Sequence, residues 1–248
     1  MIGSIRDDAP PALVAVKALA SFLAAPPGPP GAAARAAAVA RAEGLLPAAA
    51  EAGGGPGGLP AVQAVVATLA LHEGRLEAAL GAVRSGATLE LLALSVQVML
   101  HLDRPDAADR QLKLMQERDD ESCLTALSAA AVGLALGGAR GKEAALLYRD
   151  VLERYGETVP SLNGAAVAAL AARNGPDADK ALREALAKEP DAPDALANAL
   201  AAAAAGGRFA DAPGLIERLR KAAPHHPYVE GWARVEAAFD RVAATYAA

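Results

Sequence analysis

Residues 175–193 run GPDADKALREALAKEPDAP, and residues 209–227 run FADAPGLIERLRKAAPHHP. Set 34 positions apart, the two stretches overlay: Asp177 returns as Asp211, Ala178 as Ala212, Leu182 as Ile216, Pro190 as Pro224 and Pro193 as Pro227. The register reaches back one more step, because Ala144, Tyr148 and Leu152 lie 34 residues before Ala178, Leu182 and Leu186. A small residue, a bulky one four later and a closing Pro, on a fixed period, describe a repeated helix–turn–helix unit.

One such unit cannot bury its apolar face alone, so neighbours must stack. The expected fold is all-α, a tetratricopeptide-like α-solenoid of antiparallel helix hairpins in a single domain spanning 1–248. Five repeat-like hairpins are expected over 59–225. Their small residues, Ala79, Ala108, Ala144, Ala178 and Ala212, should lie where helices A and B of a hairpin cross. The bulky residues four on, from Val83 and Leu112 to Ile216, should fill the gap to the next hairpin. Prolines then end helix B, since they cannot continue it.

Upstream, 12–52 is expected to form an irregular N-terminal hairpin. Its first helix, from about Ala12 to Ala25, is apolar nearly all round, with Lys17 and Ser21 as its polar residues. Such a helix is normally buried, so this start resembles the interior of an array, with further chain before it or a partner over it. The second helix, about 31–52, should kink at Pro47. The run Gly53 to Gly58 should be a flexible loop open to proteolysis. At the other end, 226–248 is expected to be a capping helix. Tyr228, Trp232, Val235, Phe239 and Val242 form one apolar stripe, opposed by Glu230, Arg234, Glu236, Asp240 and Arg241.

Composition agrees with helices that pack through many small contacts. The 248 residues are 53% hydrophobic but 3% aromatic, and Ala, the strongest helix former, dominates. The net charge of −5, without a dense Lys/Arg cluster, gives no nucleic-acid footprint. Cys123, the one cysteine, allows no internal disulfide and suits a small core position. The uncharged run Ser122 to Ala139 approaches the length of a membrane span, but it is in phase with the repeats and should be a buried helix.

Chemistry-bearing patterns are missing. His72 and His101 fall near the ends of A helices, and His225 and His226 share a turn, with no spacing suited to zinc. Gly53 to Gly58 lacks the Lys and Ser/Thr of a phosphate loop. No enzyme activity, cofactor or metal is expected. The working surface should be the inner face of the A helices, where Thr68, His72, Glu90, Gln97, His101, Asn163 and Asn198 project. Asn163 and Asn198 could hydrogen-bond an extended partner backbone, or merely satisfy a neighbouring carbonyl. Other groove positions are mostly Ala, which suits close approach by an apolar partner surface. A groove built to grip carboxylates would carry Lys and Arg there instead.

Several short segments, taken in order, resemble one family. They are Leu112 to Gln116 (LKLMQ), then Asp119–Asp120–Glu121, Leu124–Thr125, Gly137–Gly138, Leu162–Asn163–Gly164, Glu184–Ala185–Leu186, His226–Pro227, Phe239–Asp240–Arg241 and Tyr246. Glu90, Val96–Gln97 and Leu102–Asp103–Arg104 extend the set upstream. Their order and spacing resemble the coatomer epsilon family of the COPI vesicle coat. The resemblance implies a non-catalytic adaptor that binds and stabilises the C-terminal region of the alpha subunit of coatomer. It implies a cytoplasmic protein, peripheral on Golgi membranes through the coat, in Golgi-to-ER retrograde and intra-Golgi transport. Family members carry further helices before the segment like Ala12 to Ala25, so this chain is expected to be truncated at its N-terminus. The alternative is a general tetratricopeptide scaffold or co-chaperone that holds a peptide of another client.

Overall fold

The computed structural model describes residues 5–6, 8–51, 58–86 and 88–246. Among them are fourteen α-helices and no strand. They are α1 (Pro11–Ala24), α2 (Ala32–Gly44), α3 (Leu46–Glu51), α4 (Leu59–His72), α5 (Leu76–Val83), α6 (Leu89–His101) and α7 (Pro105–Arg118), followed by α8 (Cys123–Leu136). Next come α9 (Gly138–Tyr155), α10 (Val159–Ala171), α11 (Gly175–Lys188), α12 (Pro193–Ala205), α13 (Ala212–Ala222) and α14 (Pro227–Tyr246). Short 3-10 turns precede α2 and α13. The expected loop at Gly53 to Gly58 lies, except for Gly58, outside the described residues. The helices divide into two compact units, Met1–Leu136 and Gly137–Ala248.

Four helix-to-helix turns share one backbone. Gly74, Asp103, Arg173 and Gly207 all take left-handed φ angles, of 69°, 55°, 59° and 70°. After each, an N–H reaches back five residues: Arg75 to the Ala70 carbonyl, Arg104 to Met99, Asn174 to Ala169 and Arg208 to Ala203, at 2.8–2.9 Å. This closure satisfies carbonyls that a helix end would otherwise leave bare. It turns the chain tightly enough for helix B to fold back on helix A.

In the first unit, α4–α5 and α6–α7 are such hairpins, and α8 packs on α6 and α7. Ala79 and Ala108 are fully buried at their crossings, and Val83 and Leu112 four residues on are buried as well. Most of the uncharged run is α8, with Thr125, Ser128, Ala130 and Val132 inside, Cys123 half-buried, and Leu124 and Leu136 exposed. The Thr125 hydroxyl donates to the Asp119 carbonyl at 2.7 Å, which removes the cost of burying it. Helix α1 packs on α2 and α4 through Val14, Ala15, Ala18 and Phe22, while Leu13, Val16 and Leu23 on its other side are exposed. The expected kink at Pro47 is a full break at Leu45. Pro47 then occupies the first turn of α3, where its missing N–H costs nothing.

In the second unit, α10–α11 and α12–α13 are the hairpins, α9 packs on α10, and α10 touches α12. Ala144 and Ala178 are fully buried, as are Leu162, Ala185 and Leu196. Ala212 and Ile216, at the corresponding positions of the last hairpin, are half-buried. The reason lies in α14. It enters this core through Val229, which packs with Leu196, Leu200 and Leu219. An ion pair, Arg220 Nη2 to Glu236 Oε2 at 3.3 Å, also ties it to α13. Apolar packing is closest at the start of the helix, and the stripe beyond Trp232 is mostly exposed.

Candidate functional site

Helix α10 starts from a reciprocal cap. The Thr158 hydroxyl accepts the Ser161 N–H at 3.3 Å, and the Ser161 hydroxyl accepts the Thr158 N–H at 3.0 Å. That fixes the helix phase. With Leu162 and Ala166 turned into the core, Asn163 comes out half-buried beside them. On α12 the same logic holds: Ala195 and Leu196 are buried and Asn198 emerges half-buried. The two amides meet, with Asn198 Nδ2 donating to Asn163 Oδ1 at 2.9 Å. Each keeps capacity in hand. Asn163 retains its amide N–H groups and Asn198 its carbonyl, with no further side-chain partner among the described residues. The pair thus offers free N–H donors and a free carbonyl acceptor at a single place, as an extended backbone requires.

Beside the pair, Gly164 lies directly under the Tyr148 ring of α9. A Cβ at Gly164 would overlap the ring, so glycine is what allows α9 to approach α10 this closely. Burial pushes the Tyr148 phenol above its usual value of 10.0.

Two clefts open between neighbouring helices of this unit. One of about 640 Å³ lies among α11, α12 and α13, with Leu182, Leu186 and Leu215 in its wall. The Arg208–Asp179 pair stands at its rim, with Nη2 to Oδ1 at 2.7 Å and a second contact from Nη1 to Oδ2. The hydrogen bonds hold the Asp179 carboxyl below the ordinary carboxylate range and raise the Arg208 guanidinium. The other cleft, about 450 Å³, carries Arg149, Glu153, Lys180 and Glu184 between α9 and α11. Neither is lined by a Ser, Thr, Cys or His.

The remaining predicted residues belong to the first unit. The Thr68 hydroxyl donates to its own helix, to the Ala64 carbonyl at 2.8 Å. His72 is exposed at the last turn of α4, its ring 5.8 Å from that of Phe22. Glu90, Gln97 and His101 form one exposed face of α6. Glu90 in the first turn and His101 in the last also complement the helix dipole. The structure therefore brings Asn163 and Asn198 into direct contact, leaves Thr68 half-buried on α4, and exposes His72 on α4 and Glu90, Gln97 and His101 on α6. Among the described residues no group of three or more His, Cys, Asp or Glu could hold a metal ion. Nor is any helix there long and apolar enough to cross a membrane.

Two features of this region escape the sequence reading. The Tyr148–Gly164 contact could have been found, because Tyr148 holds the bulky repeat position and Gly164 adjoins a groove residue. The Asp179–Arg208 pair could not, because it joins α11 to the turn after α12 at a separation of 29 residues that no helical spacing marks.

Comparison with known proteins closes the description. A family model described as coatomer epsilon subunit matches residues 1–247. The chain is 36% identical over 185 residues to coatomer subunit epsilon-2 of Oryza sativa subsp. indica, covering 75% of this chain and 62% of that protein. It is 33% identical over 186 residues to coatomer subunit epsilon-1 of Arabidopsis thaliana, covering 75% and 63%. The chain thus spans a little over three-fifths of the length of these relatives. In fold it is similar to a tetratricopeptide repeat protein of Parabacteroides merdae, with a TM-score of 0.68 at 11% identity, covering 89% of this chain and 82% of that one. The all-α, tetratricopeptide-like architecture and the match along nearly every residue lead to one conclusion: the chain belongs to the coatomer epsilon subunit family.

Proposed function

We propose that this chain is a non-catalytic adaptor of the COPI coat that binds and stabilises the C-terminal region of the alpha coat subunit. The observation that carries this reading is family membership along residues 1–247. In this role the protein is cytoplasmic and reaches Golgi membranes through the coat, serving retrograde Golgi-to-ER and intra-Golgi transport. Its physical work is mass action: occupancy of a folded partner stabilises that partner by RT ln(1 + [L]/Kd). The Asn163–Asn198 pair supplies the polar anchor of the docking face. The half-buried Thr68 and the exposed side chains of His72, Glu90, Gln97 and His101 supply further contacts on the first unit.

Co-expression with the C-terminal region of the alpha subunit from the same organism, followed by size-exclusion chromatography, tests the reading. A 1:1 complex is expected, and Asn163→Arg should weaken it while leaving the circular dichroism of the free chain unchanged. Absence of a complex with the unaltered chain would turn the reading towards a tetratricopeptide scaffold for another client. A complex indifferent to Asn163→Arg would remove the amide pair from the interface.

A further inference from the structure

Helix α14 carries an apolar stripe that its own unit covers only in part, and least beyond Trp232. Trp232 is 47% exposed, Val235 70%, Phe239 71%, Val242 56% and Tyr246 86%. Soluble chains rarely leave such a row of large side chains open without a partner. The spacing states what kind of partner fits. From Tyr228 the stripe advances by four, three, four, three and four residues to Tyr246. That 3.5-residue repeat follows the seam of a coiled coil and calls for another helix.

We propose that this seam binds the α14 helix of a second copy, running antiparallel. In that register Trp232 faces Val242 of the second copy, Val235 faces Phe239, and Tyr228 faces Tyr246. Two of the three layer types set an aromatic ring against a valine, so bulk on one helix meets space on the other. A parallel pair would instead stack Trp on Trp and Phe on Phe. One flank of the seam is Gly231, Ala238 and Thr245, small enough for close approach. The other flank carries Glu236, whose charge is already matched by Arg220 of its own chain at 3.3 Å.

The area suffices. At roughly 200 Å² per aromatic side chain, the exposed part of the stripe amounts to about 600 Å² per helix. A pair then buries on the order of 1,200 Å², the lower bound of specific interfaces. A lipid surface suits the helix less well, because its polar side carries three acids, Glu230, Glu236 and Asp240, against Arg234 and Arg241. The inference stands apart from the proposed coat role and does not depend on it.

Sedimentation equilibrium of the full chain at rising concentration tests it, with twice the 24.9 kDa chain mass expected at roughly 100 µM. The double variant Val235→Asp, Phe239→Asp should raise the dissociation constant at least about a hundredfold with unchanged helix content. For the register, Gly231→Cys and Thr245→Cys are each placed in a Cys123→Ser chain. Gly231 has open space for a side chain. On oxidation the mixed pair should cross-link, and neither variant should cross-link with itself. A monomer at all concentrations, or a dimer indifferent to the double variant, overturns the proposal. A monomer that floats with phosphatidylcholine–phosphatidylserine vesicles overturns it in favour of a lipid surface. Self-linked Gly231→Cys overturns the antiparallel register.

Discussion

Gly164→Ala places a methyl group where the Tyr148 ring now lies, and the sign of its effect depends on that ring. In an open helix interior, Gly→Ala gains about 1 kcal/mol through backbone entropy. Here the same methyl overpacks the α9–α10 contact, at a cost of about 1–3 kcal/mol. The net expectation is destabilisation by about 1 kcal/mol. In a Tyr148→Ala background the obstacle is gone, and the same substitution should stabilise by about 1 kcal/mol. The coupling between the two positions is then about 2 kcal/mol, well above the scatter of a double-mutant cycle. Urea denaturation of the four proteins, followed by circular dichroism, measures it. Titration of the phenol at 295 nm gives an independent reading. Burial raises the folded-state value of Tyr148, so its contribution to stability is complete below the unfolded value, about pH 10, and lost as pH rises through the folded one. Gly164→Ala should move the ring towards water and lower that ionisation. If Gly164→Ala stabilises equally in both backgrounds, the close approach of α9 to α10 does not rest on this glycine.

Thr158→Ala removes one half of the reciprocal cap of α10. It should cost about 1 kcal/mol in urea denaturation, and Thr158→Ser should recover most of it; equal losses would show that the hydroxyl is not the cause. Asp179→Asn should reveal a pH-dependent term. The Asp179 carboxyl is held low by its hydrogen bond to Arg208, so the stabilisation is fully present above the unfolded carboxylate value, roughly 3.9. It is lost as pH falls through the lower folded value. The stability gap between wild type and variant should therefore narrow as pH falls below about 4 and narrow in 1 M salt. A gap constant with pH would show that the pair contributes nothing through charge.

The repeat was legible because its marks are steric requirements. Ala79, Ala108 and Ala178 sit on packed hairpins where a larger side chain cannot fit, and each is fully buried, as is Ala144 where α9 packs on α10. Their period could be read before any helix was placed. The two asparagines could be assigned to neighbouring A helices because they lie 35 residues apart, one more than the repeat. That they bond one another could not be read, since a one-residue offset turns a side chain by 100° and only the packed helices fix where it points. The break at Leu45 was legible as a fault near Pro47 but displaced, because proline constrains the residues before it more than its own position in a first turn. The exposure of α14 was hidden for a different reason. A helix with one apolar stripe has the same sequence whether its own array or another molecule covers it. The open face of α1 shows the same limit: an apolar composition sets what a helix prefers, not how many neighbours it has.

The left-handed turns bear on how such arrays drift. At Gly74 and Gly207 the backbone takes this conformation without strain, while Asp103 and Arg173 hold the same φ range with a Cβ present. The helices on either side impose the turn, so the residue type at this position can change while the path of the chain stays the same. A hairpin can thus lose its glycine, the most visible punctuation of its repeat, and still fold as its neighbours do. Counted by glycines at this position, these four hairpins would number two, whereas the small-residue positions Ala79, Ala108, Ala178 and Ala212 mark all four.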